Sequence, residues 1–279
     1  MHYLNIKILK QLPLAVAISL SSALMGCDDP NNSGQSNQSS YTPNTSSQAQ
    51  PPTQPENSLS YGEKGARSDW PAFLDTELPI ASDLVVKNYY IVVDGSGSMA
   101  GRGCSGNDSK MDVAKQAIST FMSKLPKSAN LGVFAFDNAG SSERMPLGQN
   151  SLDVAMDVVT KIQAGGGTPL SQGVEAGVSS LTKQGIQQLG YGEYHLVVVT
   201  DGQASAGYAP DDEVRQLLDE TPIVLHTIGF CIDEKHSLNK PGYTIYRGAN
   251  DPGSLMAGLD AVLAESPVFD VQRFQGDEQ

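Results

Sequence analysis

Sulfur and imidazole are scarce in this chain of 279 residues, which has three cysteines and four histidines. No CxxC pair occurs, and no close histidine pair accompanies a cysteine, so a structural zinc site is disfavoured. Basic residues are few as well. Lys and Arg number 18 against 31 Asp and Glu, a net charge of −13. Nucleic-acid binders are usually basic, so that class is disfavoured too; an acidic surface is otherwise ordinary for a solvated domain. Tryptophan occurs once, at Trp70. Apolar residues make up 39%, which is low for a compact globule, and the shortage sits mostly before residue 60.

That first stretch is an address and a tether. Lys7 and Lys10 precede an apolar run, Leu12 to Leu24. The run suits a secretory signal and is short for a membrane span of about 20 residues. Leu24-Met25-Gly26-Cys27 comes next and resembles a bacterial lipobox, with residues 1–26 as the signal peptide and Cys27 as the lipidated residue. The alternative is an ordinary signal peptide that happens to contain a cysteine. The resemblance implies a lipid anchor on the extracytoplasmic face of a bacterial membrane. In a Gram-negative cell, Asp28 resembles a signal for retention on the periplasmic side of the inner membrane. Residues 27–60 are Ser, Asn, Gln, Thr and Pro with almost no large apolar side chain, a composition expected to stay disordered. Such a tether has an r.m.s. reach of about 35 Å. Residues 61–86 form a lead-in, with Trp70 packing on the outside of the globular domain.

From residue 87 to 265 apolar strands alternate with helical periodicities. Tyr89–Val93, Leu131–Phe136, His195–Thr200 and Ile223–Phe230 read as strands buried on both faces. Helices are predicted from Asp108 or Ser109 to Pro126, over 151–163, from Pro169 to about Gly185, near 210–219, and from Asp251-Pro252 onward. Arg144–Leu147 reads as a short edge strand, and 267–274, within the extension 266–279, as a weak extra one. Alternation of this kind predicts an α/β fold, a doubly wound, mainly parallel sheet with helices on both faces. Ligands of such sheets bind beyond the C-terminal strand ends.

Asp94, Ser96 and Ser98 lie in a glycine-rich turn just past the first strand, and Asp201 lies just past the fourth. Thr168 opens a helix and belongs at the same edge. All five offer oxygen, the donor that hard divalent cations prefer. Two acids balance a dication, and three hydroxyls fill its shell without excess negative charge. Asp94-Gly95-Ser96-Gly97-Ser98, Gly166-Gly167-Thr168-Pro169-Leu170 and Thr200-Asp201-Gly202 closely resemble, in order and context, the metal-ion-dependent adhesion site of von Willebrand factor A domains. The resemblance implies a Rossmann-like fold and a bound Mg²⁺ (or Mn²⁺). It implies that Ser96, Ser98 and Thr168 touch the ion, with the acids acting directly or through water. It also implies a partner protein whose Asp or Glu takes the open position, with no catalysis.

Competing chemistries fit less well. Gly95-x-Gly97-x-x-Ala100 matches part of a dinucleotide fingerprint, but Asp94 would repel the pyrophosphate. A metal-dependent hydrolase or phosphotransferase using Asp94 stays open, although Ser96 stands where a second acid is common. A scaffold in which the ion only braces loops stays open as well. A Ser-His-Asp site lacks a placed histidine: His195 starts a strand at the far edge, His226 is inside one, and His236 has no nucleophile elbow near it. Cys104 and Cys231 remain after Cys27. Both are expected at the metal edge, paired as a disulfide in an oxidising compartment or free. Loops 101–108, 138–144, 203–209 and 233–247 are expected to border the ion.

Overall fold

The computed structural model describes residues 70–71, 78–232 and 235–264. The lipobox at Cys27, the tether 27–60, most of the lead-in 61–86 and the extension 266–279 lie outside the described residues.

Six strands form one sheet in the order β3-β2-β1-β4-β5-β6. The central strands are β1 (Lys87–Asp94), β2 (Asn130–Asp137), β4 (Glu193–Thr200) and β5 (Val224–Phe230), buried along almost their whole length. They pair in parallel, β1 lying between β2 and β4. A parallel strand has helices over both faces, so both of its side-chain rows must be apolar. In β1 the row Tyr89, Ile91 and Val93 packs into one core, and Tyr90 and Val92 pack into the other. Each such aliphatic side chain, fully buried, stabilises the fold by about 1.5–3 kcal/mol.

Helices α1 (Lys110–Lys124), α2 (Leu152–Thr160) and α5 (Pro252–Ala264) line the first core. Helices α3 (Leu170–Gln187) and α4 (Asp211–Glu220) line the second. Ser109 caps α1, its hydroxyl accepting the Asp112 N–H at 3.1 Å, and Ser151 caps α2 in the same way. α3 seats unusually close to the sheet. A Cβ on its Gly173 would meet Val92 at 2.6 Å, and one on Gly177 would meet Leu196 at 2.4 Å.

The structure corrects four expectations. The edge strand β3 runs from Gly140 to Gly148, antiparallel to β2, so 138–144 is mostly hairpin. A sixth strand, β6 (Ile245–Ala249), pairs with β5 inside a stretch that reads as loop. At a sheet edge only one side needs a partner, so five residues suffice, of which Ile245, Tyr246 and Arg247 are half-buried, Gly248 is exposed and Ala249 alone is buried. The second helix stops at Thr160, short of residue 163. Gly185 does not end α3. It lies inside the helix, where the Trp70 ring covers it so tightly that a Cβ would approach Trp70 to 2.3 Å. Trp70 also meets Tyr194 edge-on, with ring centroids 4.8 Å apart.

Candidate metal centre

Asp94 ends β1 and is fully buried. The Ser96 N–H donates to its Oδ1 at 2.8 Å, which closes the turn. Thr200, the last residue of neighbouring β4, donates its hydroxyl to Asp94 Oδ2 at 2.6 Å. Burial pushes the Asp94 carboxyl above its ordinary range. The bonds from Ser96 and Thr200 oppose that shift, and the nearby charge of Asp201 adds to it.

The turn after Asp94 winds through a short 3₁₀ helix at Gly97–Ala100, anchored by the buried Met99. It places the Ser96 and Ser98 hydroxyls 3.0 Å apart. Ser98 then donates to Asp201 Oδ1 at 2.7 Å. The other oxygen of Asp201 accepts from the ammonium of Lys110, the first residue of α1. Four of the five expected residues therefore form one chain of contacts, Asp94 to Ser96 to Ser98 to Asp201.

The fifth, Thr168, is drawn in through its backbone. Gly97 N–H donates to the Gly166 carbonyl at 3.1 Å, and Gly165 N–H to the Gly95 carbonyl at 2.8 Å. Gly166 has a φ of +78°, a left-handed conformation that glycine adopts at no steric cost. Ser205 fixes the far side. Its hydroxyl accepts the Thr168 N–H at 2.9 Å, and its own N–H donates to the Thr168 carbonyl at 3.0 Å. Pro169 is the cap of α3, so the helix begins two residues beyond Thr168, at Leu170.

These residues fit a divalent cation. Two acids, at most 7% exposed, are linked through the Ser96 and Ser98 hydroxyls, and Thr168 is held at the same edge by its backbone, a hard-oxygen set with little excess charge. Among the described residues, no group of three or more His, Cys, Asp or Glu side chains could hold a metal. Hydroxyl ligation is thus the feature to weigh.

Four contributors escaped the sequence reading as individual site residues. Thr200 stands in the Thr200-Asp201-Gly202 motif without a role of its own there, and Ser205 carries no signal beyond its place in a loop. His236, expected in a loop on this edge, bonds through Nε2 to the Gly202 carbonyl at 2.9 Å and so braces the turn after Asp201. Lys110 did leave a trace. A cation in the first turn of a helix opposes the macrodipole, so a partner for it was to be expected.

Two hollows flank the centre. One, of about 260 Å³, touches Thr168 and is bounded by Phe136, Ser141, Pro169, Gln172 and Tyr208. The other, of about 780 Å³, is lined by Cys104, Lys110, Cys231, Ile232 and Asn250. Cys104 and Cys231 are joined in a disulfide, which ties the loop before α1 to the end of β5. The histidines at the opposite edge take no part: His195 Nδ1 and His226 Nε2 lie 3.1 Å apart within the core.

The sequence profile described as von Willebrand factor type A domain matches residues 88–266. The chain is similar to the uncharacterized protein YwmD of Bacillus subtilis, with 25% identity over 162 residues. That match spans 53% of this chain and 70% of YwmD. Its fold is similar to that of the conserved hypothetical protein BatB from Bacteroides thetaiotaomicron. There the TM-score is 0.51 and the identity 17%, covering 64% of this chain and 98% of BatB. It is also similar to proximal thread matrix protein 1 from the mussel byssus, described with a zinc-occupied MIDAS motif. In that case the TM-score is 0.50 and the identity 16%, over 64% of this chain and 47% of the mussel protein.

Proposed function

The chain belongs to the von Willebrand factor type A domain family, and we propose that it is a non-catalytic binding module, gripping a partner protein through a divalent cation, Mg²⁺ or Mn²⁺. The observation that carries this reading is the donor set: three hydroxyl side chains and two acids, drawn from three distant segments to one sheet edge. Ser96, Ser98 and Thr168 would hold the ion through their hydroxyls, with Asp94 and Asp201 acting directly or through water. Bound there, the ion supplies an electrophilic position for one Asp or Glu carboxylate of the partner. The zinc in the MIDAS motif of the mussel protein supports a divalent ion at such a motif.

Asp94 is poorly presented as a nucleophile. Both of its oxygens accept hydrogen bonds, and none of it is exposed. That favours binding over hydrolysis or phosphotransfer. The 260 Å³ hollow beside Thr168, bounded by Phe136, Pro169 and Tyr208, offers a seat for the residue next to the partner's acid.

The lipobox at Cys27 supports a lipid-held position for the module on the extracytoplasmic face of a bacterial membrane. In a Gram-negative cell, Asp28 favours the periplasmic side of the inner membrane. The Cys104–Cys231 disulfide is in keeping with an oxidising compartment.

The test is capture of partners from a membrane extract by the purified chain, with Mg²⁺ and with EDTA. Capture should depend on Mg²⁺ and vanish in the Ser96→Ala, Ser98→Ala double variant while its circular dichroism stays unchanged. Capture that survives both EDTA and the double variant would sink the proposal. Loss of thermal stability on chelation with no change in capture would leave the ion a brace for loops only.

A further inference from the structure

Lys110 lies outside all three motifs, yet its ammonium pairs with Asp201. The lysine side chain is 13% exposed and the aspartate side chain 0%. The contact joins residues 91 positions apart, and several features of the fold are needed to make it.

The Lys110 stem lies along the loop of residues 101–109. Gly101 and Gly103 both lie beside it, an added Cβ on either standing 3.7 Å from Lys110 Cε, at ordinary contact distance. The Lys110 N–H donates to the Gly101 carbonyl at 2.8 Å. Cys104, in the same loop, is bonded to Cys231. The Lys110–Gly101 bond therefore closes the loop at its base, and the disulfide ties it partway along to Cys231. The 780 Å³ hollow beside it has Lys110 in its wall and gives the ammonium room to withdraw.

We propose that Lys110 is an internal counter-ion of the metal centre, standing in for the divalent charge when the ion is away and weakening the ion's hold when it arrives. This inference rests on the metal reading given above. Without a cation, Asp94 and Asp201 are two buried acids side by side, an arrangement that disfavours folding. Lys110 neutralises one of them and keeps the cup preformed. When the ion enters, two cations share the same carboxylates, and their repulsion lowers ion affinity. With the ion bound, the dication and Lys110 together outweigh the two aspartates. The centre then carries surplus positive charge that an incoming carboxylate cancels. The ion is held loosely alone and firmly once a partner's acid is present.

The test compares the full-length chain with Lys110→Met and Lys110→Arg, titrating Mg²⁺ and Mn²⁺ by calorimetry and following thermal unfolding in EDTA and in Mg²⁺. Lys110→Met should unfold at lower temperature in EDTA, gain more from Mg²⁺ than the parent does, and bind Mg²⁺ about tenfold tighter or more. Lys110→Arg keeps the charge and should track the parent. A Lys110→Met chain that folds only in Mg²⁺ is the extreme form of the same result. Equal or weaker Mg²⁺ binding by Lys110→Met, or failure to fold with and without Mg²⁺, overturns the inference and leaves Lys110 an ordinary structural residue. The metal reading fails separately, if neither Mg²⁺ nor Mn²⁺ binds the parent or Lys110→Met.

Discussion

Replacing Thr200 by valine removes one hydroxyl and almost no volume. In the structure that hydroxyl donates to Asp94 Oδ2 at 2.6 Å, and its neighbour at Oδ1 is the Ser96 N–H at 2.8 Å. Thr200 and Asp94 are both fully buried, so water does not replace the lost donor. A hydrogen bond to a charged group contributes about 1.5–3 kcal/mol. The loss falls unevenly. In the ion-free chain Asp94 has the option of staying protonated, because burial already pushes its carboxyl upward. In the ion-bound chain it must be ionised. Most of the loss, about 1.5–3 kcal/mol, therefore appears as weaker ion binding, roughly 10- to 100-fold at 1.4 kcal/mol per factor of ten. Calorimetric titration with Mg²⁺ measures this directly, and Thr200→Ser, which retains the hydroxyl, should bind close to the parent. Parent-like Mg²⁺ affinity in Thr200→Val would refute the view that this bond holds the charged form of Asp94.

Two further predictions concern the frame around the centre. The disulfide spans 127 positions. Chain-entropy reasoning gives about 5 kcal/mol for a loop of that size, against about 2–4 kcal/mol typical in practice. Cys104→Ala with Cys231→Ala should lower the urea midpoint accordingly, and an unchanged midpoint would mean that the denatured chain gains no freedom from the cut. His236 is buried, which pushes its imidazole below the ordinary value despite the bond to the Gly202 carbonyl. Neutral His236 thus supports the fold fully above the ordinary imidazole value of about 6.5. That support is lost as pH falls from there through the lower folded value. His236→Gln should flatten the fall in melting temperature between about pH 7 and pH 5; equal slopes for the two chains would dismiss His236 as the cause.

The fold class was legible because parallel strands announce themselves. Tyr89–Val93 and Leu196–Val199 are unbroken apolar runs, and each ends in a motif whose glycines, serines and acids have no other business at the end of a strand. Elements that lean on the rest of the molecule were not legible. β6 has five residues, an arginine and a glycine among them, and becomes a strand only because β5 offers an open edge. Gly185 looks like a helix breaker until Trp70, more than a hundred residues earlier in the chain, is found covering it.

The same division runs through the metal centre. Ser96, Ser98, Thr168 and the two aspartates were legible because their spacing is local to three turns, each fixed by strand ends and helix starts. Thr200, Ser205, His236 and Lys110 contribute through contacts that only the assembled sheet creates. Their effect is on charge and stiffness rather than on ligand identity. A motif therefore states what kind of ion the centre takes. On the proposal made for Lys110, the affinity for that ion would depend on neighbours beyond the ligands themselves, chiefly on the second cation that stands on Asp201. Two chains with identical Asp-x-Ser-x-Ser turns are then expected to differ in ion affinity if one carries a lysine at the position of Lys110 and the other an uncharged residue.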